Sequence, residues 1–252
     1  MTPSVSPTFP GWRRVVTAAG CAALLALGPV GCGAEEDPDA GTNGLASLTP
    51  AEIEEQATAA AAEARAVRVS GTVITEGESF RLDMRLGEEG GFGEVSAEGG
   101  ATFELLRVGE DLYMKADAAF WESEGIPEEL DSDPAETLEG RYVRVAPDDP
   151  AYAQLSGFTD MEVLFDHLLT LDGEREVAED RGEVDGAQTV TVLADGGAGG
   201  RLDVALIGEP YPLLLQRPGE AGELQLSDWN EDFELRAPED DQILDYGDEL
   251  VE

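Results

Sequence analysis

The sequence predicts an α+β fold: a strongly curved antiparallel β-sheet of about ten or eleven strands, with helices covering its concave apolar face. Three observations carry this prediction. From Val67 onward apolar residues recur with a period of two, as in "VRVSGTV" and "FRLDMRL". Glycine-rich turn signals separate many of these runs, among them Glu89-Gly90-Gly91, Gly109-Glu110-Asp111 and Arg217-Pro218-Gly219. Helical periodicity is confined to one stretch before the strands and one in their midst. A single sheet of that many strands must curl or close on itself, and helices inserted on its apolar side then plug the concavity.

The first helix is "LTPAEIEEQATAAAAEARAV". Thr49 can cap it, Pro50 suits the first turn, and Glu52, Glu54 and Glu55 complement the positive end of the helix dipole. Ile53, Ala57, Ala60, Ala61 and Ala64 share one face, and a face of alanines lets a helix lie close on a sheet. The strands that follow alternate strictly: Val67, Val69 and Val73, then Phe80, Leu82, Met84 and Leu86, point to one side and polar residues to the other. Further strands are "FGEVSA", "ATFELLRV", "DLYMKA", "RYVRVA", "REVAEDRGEV", "AQTVTVLA", "RLDVALIG", "YPLLLQR" and "GELQLSDW". In the middle, "DAAFWESEG" and "IPEELDSDPAETLEG" break the alternation. "DDPAYAQLSGFTDMEVLFDHLLTLDG" is then helical, with Met161, Leu164, Phe165 and Leu168 on one stripe behind a Thr159/Asp160 cap.

The N-terminus reads as an export signal, with Arg13 and Arg14 ahead of an apolar core from Val15 to Leu27 that is too short to span a bilayer, which takes about 20 residues. Pro29-Val30-Gly31-Cys32 resembles a lipobox, with Pro29 where that motif usually has Leu, and makes Cys32 the expected site of lipid attachment. A cut before Cys21 would leave an apolar core of only about six residues, shorter than export signals use. Residues 1–31 carry two basic residues and no acidic one, so their removal leaves 221 residues and takes the formal charge from −40 to −42. Such a surface repels nucleic acid and anionic headgroups alike, so attachment to a membrane falls to acyl chains. With one cysteine left no internal disulfide can form. Residues 32–47, rich in Glu, Asp, Gly and Pro, read as a disordered acidic linker, and residues 48–252 as one domain with a polar C-terminal tail.

Catalytic chemistry is thinly represented. His167 is the sole histidine and its neighbour Asp166 does not face it on a helix. There is no GxSxG and no HExxH, and "GGAGG" at 196–200 lies between two strands, where a hairpin turn is expected in place of a phosphate loop. The acidic runs lack the spacing of a calcium loop. Neither a catalytic group, nor a metal, nor a cofactor is expected.

Taken together, the lipobox, the acidic linker, "ARAVRVSGTV", "DLYMKADAAFW", "RYVRV" and the stretch from "GGRLDVALIGEPYPLLLQRPG" to "DDQIL" resemble actinobacterial lipoproteins of the LppX/LprG group, related in fold to the LolA and LolB carriers. The resemblance covers most of residues 48–246. It implies a half-barrel whose helices enclose an apolar cavity for acyl chains, on a monomer lipid-anchored at the extracytoplasmic face of a bacterial cell membrane, with a hydrophobic lipid as ligand and no nucleic acid. The cavity candidates are then Val69, Val73, Leu82, Met84, Met114, Trp121, Val143, Val190, Val192, Leu202, Val204 and Leu206. An envelope sensor or adaptor that uses the same fold to bind a partner protein stays open as the alternative.

Overall fold

A computed structural model describes residues 39–75, 77–97, 102–117, 120–121, 138, 140–169 and 171–244. The chain divides by its contacts into Met1–Asp37 and Pro38–Glu252, and all described residues belong to the second unit. The export signal, Cys32, most of the mid-chain insertion and residues 245–252 lie outside the described residues.

Among the described residues thirteen strands form one sheet. They are β1 (Ala66–Thr75), β2 (Glu78–Gly87), β3 (Gly90–Ala97), β4 (Thr102–Val108), β5 (Asp111–Ala116), β6 (Tyr142–Val145), β7 (Arg175–Val177), β8 (Gly182–Val184), β9 (Ala187–Ala194), β10 (Arg201–Ala205), β11 (Pro212–Gln216), β12 (Gly222–Ser227) and β13 (Ile243–Leu244). The order is β13-β6-β5-β4-β3-β2-β1-β12-β11-β10-β9-β7, with β8 also on β9. Only the short β13–β6 pair is parallel. The ends of this path, β13 and β7, do not pair with each other, so the sheet is an open, curved antiparallel one.

The count exceeds the sequence expectation for two reasons. "REVAEDRGEV" makes two strands, because β7 pairs with Val192–Ala194 while β8 pairs with Ala187–Thr189, and the chain between must leave the ladder. β13 has two residues, too few to show a period.

Strict alternation delivers two apolar rows to the concave face. Leu226, Val69, Met84, Gly93, Leu105, Met114 and Val143 stand abreast on β12, β1, β2, β3, β4, β5 and β6. Val177, Val192, Leu202, Leu215, Leu224, Gly71, Leu82, Val95, Phe103 and Ala116 form the second row. Each row contains a glycine where strands crowd: a Cβ on Gly71, whose φ is +143°, would lie 2.2 Å from the Glu223 carbonyl oxygen, and one on Gly93 would lie 2.1 Å from that of Asp83. Interior strand glycines of this kind mark bends and close backbone approach, which is what the curvature of the sheet requires.

Helix α1 (Pro50–Glu63) starts with a capping box: Thr49 Oγ1 accepts from the Glu52 backbone N–H and the Glu52 carboxylate accepts from that of Thr49. Those bonds to Thr49 hold the Glu52 carboxyl below its ordinary pKa. Ile53, Ala57 and Ala61 are fully buried, and α1 lies against β7, β9 and β11. Replacing Thr49 by alanine is expected to cost about 1 kcal/mol, seen as a fall of about 2–4 °C in melting temperature, whereas Thr49→Ser should leave it nearly unchanged.

Helices α2 (Pro150–Ser156) and α3 (Met161–Leu168) follow β6. Asp160 caps α3 by accepting from the backbone N–H groups of Glu162 and Val163, and Leu164 and Phe165 enter the core. Arg107 ties this cover to the sheet. Its guanidinium donates to Thr159 Oγ1 and O and pairs with Asp160, and Thr159 is fully buried.

Residues 39–47, expected as part of a disordered linker, are docked on the domain. Asn43 donates from its backbone to Leu206 O (2.8 Å) and from its side chain to Ala205 O (2.9 Å) and Gly208 O (3.2 Å), and Asp39 pairs with Arg181. Leu45, in a 3-10 turn spanning Leu45–Ser47, is 1% exposed and joins the core. One buried leucine and one asparagine among acidic residues fix this segment, too few to register as periodicity. At the other terminus, residues 230–242 cross the outer face of the sheet. Phe233 packs edge-on against Phe92, with ring centroids 5.6 Å apart, and β13 ends the crossing on β6.

Candidate functional site

The concave apolar face is divided between two covers. Val190, Val192, Leu202, Val204 and Leu206 stand on β9, β10 and the residue after it, at the α1 side of the face, and each is at most 4% exposed. They belong to one continuous hydrophobic core with Val69, Val73, Leu82 and Met84. Val143 is buried on β6, opposite Met114 on β5.

The β1–β6 half is different at one end. Phe80, Phe103 and Met114 pack against the core yet are only partly buried, and Val73 keeps 8% of its surface. Phe120 lies 5.3 Å from Phe103 by ring centroids, and Trp121 stands edge-on to Phe120 at 5.2 Å. Trp121 Nε1 is buried and has no hydrogen-bond partner among the described residues. This aromatic cluster borders the insertion between β5 and β6. Of the candidates, Trp121 belongs to this group of rings, while Val73 pairs with Phe80 on β2 and Met114 with Leu105 on β4. Phe80, Phe103 and Phe120 were not among the candidates; Phe80 and Phe103 are legible from strand alternation, while Phe120 lies where alternation stops.

The register also sets the ends of the sheet. Val73, Phe80, Ala97, Phe103 and Ala116 are at the end where β1 finishes, together with Gly222 and Gln216. Arg68, Gly87 and Ser227 lie toward the other end, as do Ala205 and the turn after β10. The aromatic cluster and the Asn43 attachment point are therefore at opposite ends of the strands.

Sequence periodicity did not single out a groove of about 690 Å³ on the outer face, between the sheet and the crossing segment. Its walls include Arg68, Asp83, Arg85, Phe92, Glu104 and Arg236. Arg68 donates twice to Asp83, at 2.8 and 2.7 Å, which holds that carboxyl below its ordinary pKa and raises the guanidinium's own. Lys115 is raised by its hydrogen bonds to Glu104, and the Tyr142 phenol is raised by burial and by the Glu104 charge. The cations named here are compensated by carboxylates, so the groove presents no net basic site. An exposed aromatic at an outward strand position, Phe92, is the one sequence signal that could have found it.

Elsewhere Asp203 is fully buried and accepts from Thr189, Thr191 and Arg201, a satisfied structural carboxylate whose contact raises the Arg201 pKa. Tyr211 stacks on Trp229 at 4.6 Å, and Trp229 on Phe165 at 5.7 Å. "GGAGG" forms the tight connection of β9 to β10. Among the described residues no group of three or more histidine, cysteine, aspartate or glutamate side chains could hold a metal ion, and no helix is long and apolar enough to cross a membrane.

No protein-family model matches the chain, nor does any curated protein. Among solved structures it is similar to LprF from Mycobacterium bovis, with TM-score 0.46 and 14% identity over 75% of this chain and 96% of that one. A conserved protein from Thermus thermophilus follows at TM-score 0.32 and 10% identity, covering 77% of this chain and 98% of that one. The Pseudomonas aeruginosa MucA/MucB complex is similar at TM-score 0.27 and 15% identity, covering 77% of this chain and 59% of that one.

Proposed function

We propose that this chain is a non-enzymatic lipoprotein, anchored through Cys32 on the extracytoplasmic side of the cell membrane, that holds the acyl chains of a lipid at the β1–β6 end of its concave face. The observation that supports this most is that Phe80, Phe103 and Met114 pack against the buried core yet stay partly exposed, with the rings of Phe120 and Trp121 following on from Phe103. Acyl chains entering there leave water for an apolar lining, and the driving force is that transfer. The Trp121 indole N–H offers one donor at the same place for a polar headgroup atom.

The test is lipid analysis by native mass spectrometry of the full chain extracted from its own membrane. Acyl lipid should accompany the protein at close to one per chain, and Phe103→Asp should lower that occupancy at least tenfold while Phe92→Asp on the outer face does not. Protein that carries no lipid, or the same lipid in both variants, overturns the reading. Cys32→Ser should move the protein from the membrane to the soluble fraction.

A further inference from the structure

The first described residues lie beside one particular turn. Asn43 is bonded to the carbonyls of Ala205, Leu206 and Gly208, and Asp39 pairs with Arg181. Between those carbonyls stands Ile207, 64% exposed, the most exposed large hydrophobic side chain among the described residues. Its exposure has no packing explanation within the domain: Leu206 before it is fully buried, and Glu209 after it is exposed.

Chain length then limits where this turn can be. Seven Cα-to-Cα steps separate Cys32 from Asp39, so an anchor at Cys32 keeps Asp39 within about 25 Å of the lipid surface. Among the described residues the other exposed large hydrophobics stand on other elements: Ile74 near the opposite end of β1, Val163 on α3 and Phe92 on the outer face of β3. We infer that the turn after β10 is the surface by which the tethered domain meets the bilayer, with Ile207 entering the boundary between headgroups and acyl chains. This rests on the anchor reading of Cys32. The formal charge of −42 rules out attraction to anionic headgroups as the holding force, so a short tether and an apolar tip are the features that remain to orient the domain.

The experiment uses the full chain, exported, lipidated and purified, then reconstituted into phosphatidylcholine vesicles. Lipidation occupies the Cys32 thiol, so an environment-sensitive fluorophore can be placed at Ile207→Cys and, as references, at Ile74→Cys and Val163→Cys. Doxyl-labelled phosphatidylcholine should quench the fluorophore at 207 at least threefold more than at 74 or 163. Protein that sediments with the vesicles but shows equal quenching at all three positions overturns the inference alone. Protein that stays in the supernatant overturns the Cys32 anchor, and the inference with it.

Discussion

Replacing Gly71 by alanine is expected to destabilise the domain by about 3 kcal/mol, although it adds a single methyl group. At φ +143° an L-residue is strained, and here the added carbon would also lie 2.2 Å from the Glu223 carbonyl oxygen and 3.0 Å from the Leu224 Cα. Both obstacles are backbone of the paired strand β12, which cannot rotate aside as a side chain would. β1 and β12 would have to part at the centre of the sheet, breaking the row that joins its two halves. Urea unfolding should show a lower midpoint with an unchanged slope. A loss below 1 kcal/mol would mean that the β1–β12 ladder yields easily and that Gly71 does not set the bend.

Arg107→Ala is expected to cost about 2 kcal/mol, and to do so unevenly. Arg107 projects from β4, its side chain is only 14% exposed, and it donates to Thr159 Oγ1 at 3.1 Å, Thr159 O at 3.0 Å, Gly109 O at 3.0 Å and Asp160 Oδ2 at 3.2 Å. Its loss leaves the fully buried Thr159 with a carbonyl that has lost this donor, at the point where α3 begins. Amide exchange in residues 159–169 should then speed up more than in β1 or β2, since the bonds removed join cover to sheet and not strand to strand. Uniform acceleration across the domain would show that the cover and the sheet open as one unit. Arg107→Lys should recover part of the loss only, because an ammonium cannot span four acceptors in a plane.

Much of this fold is legible in the sequence because period-two alternation survives wherever one face is buried and the other wet. Val67 to Val73 and Phe80 to Leu86 show it without exception, and Thr49 with Pro50 and Glu52 announce α1 by the chemistry of its first turn. Features held by single contacts were not legible. Asn43 and Leu45 dock an acidic, glycine-rich stretch with one amide and one apolar side chain, so composition alone assigns it to the linker. The outer groove depends on residues 230–242 returning over strands more than 100 residues earlier in the chain, which no local pattern records. Of the candidate lining, strand alternation placed the apolar side chains on the concave face but could not say which would lie on the α1 side and which would border the insertion.

The two ends of the strands are the last consequence. Asn43 attaches the N-terminal segment at the end where β10 finishes, and the aromatic cluster is at the end where β1 finishes. The ten residues of β1 span roughly 30 Å. If the chain is anchored through Cys32 as proposed, mooring at the first end holds the aromatic cluster away from that membrane. Its trading partner would then be something arriving from across the envelope, a second carrier or an opposing surface, and the home bilayer would serve as the mooring and not as the store.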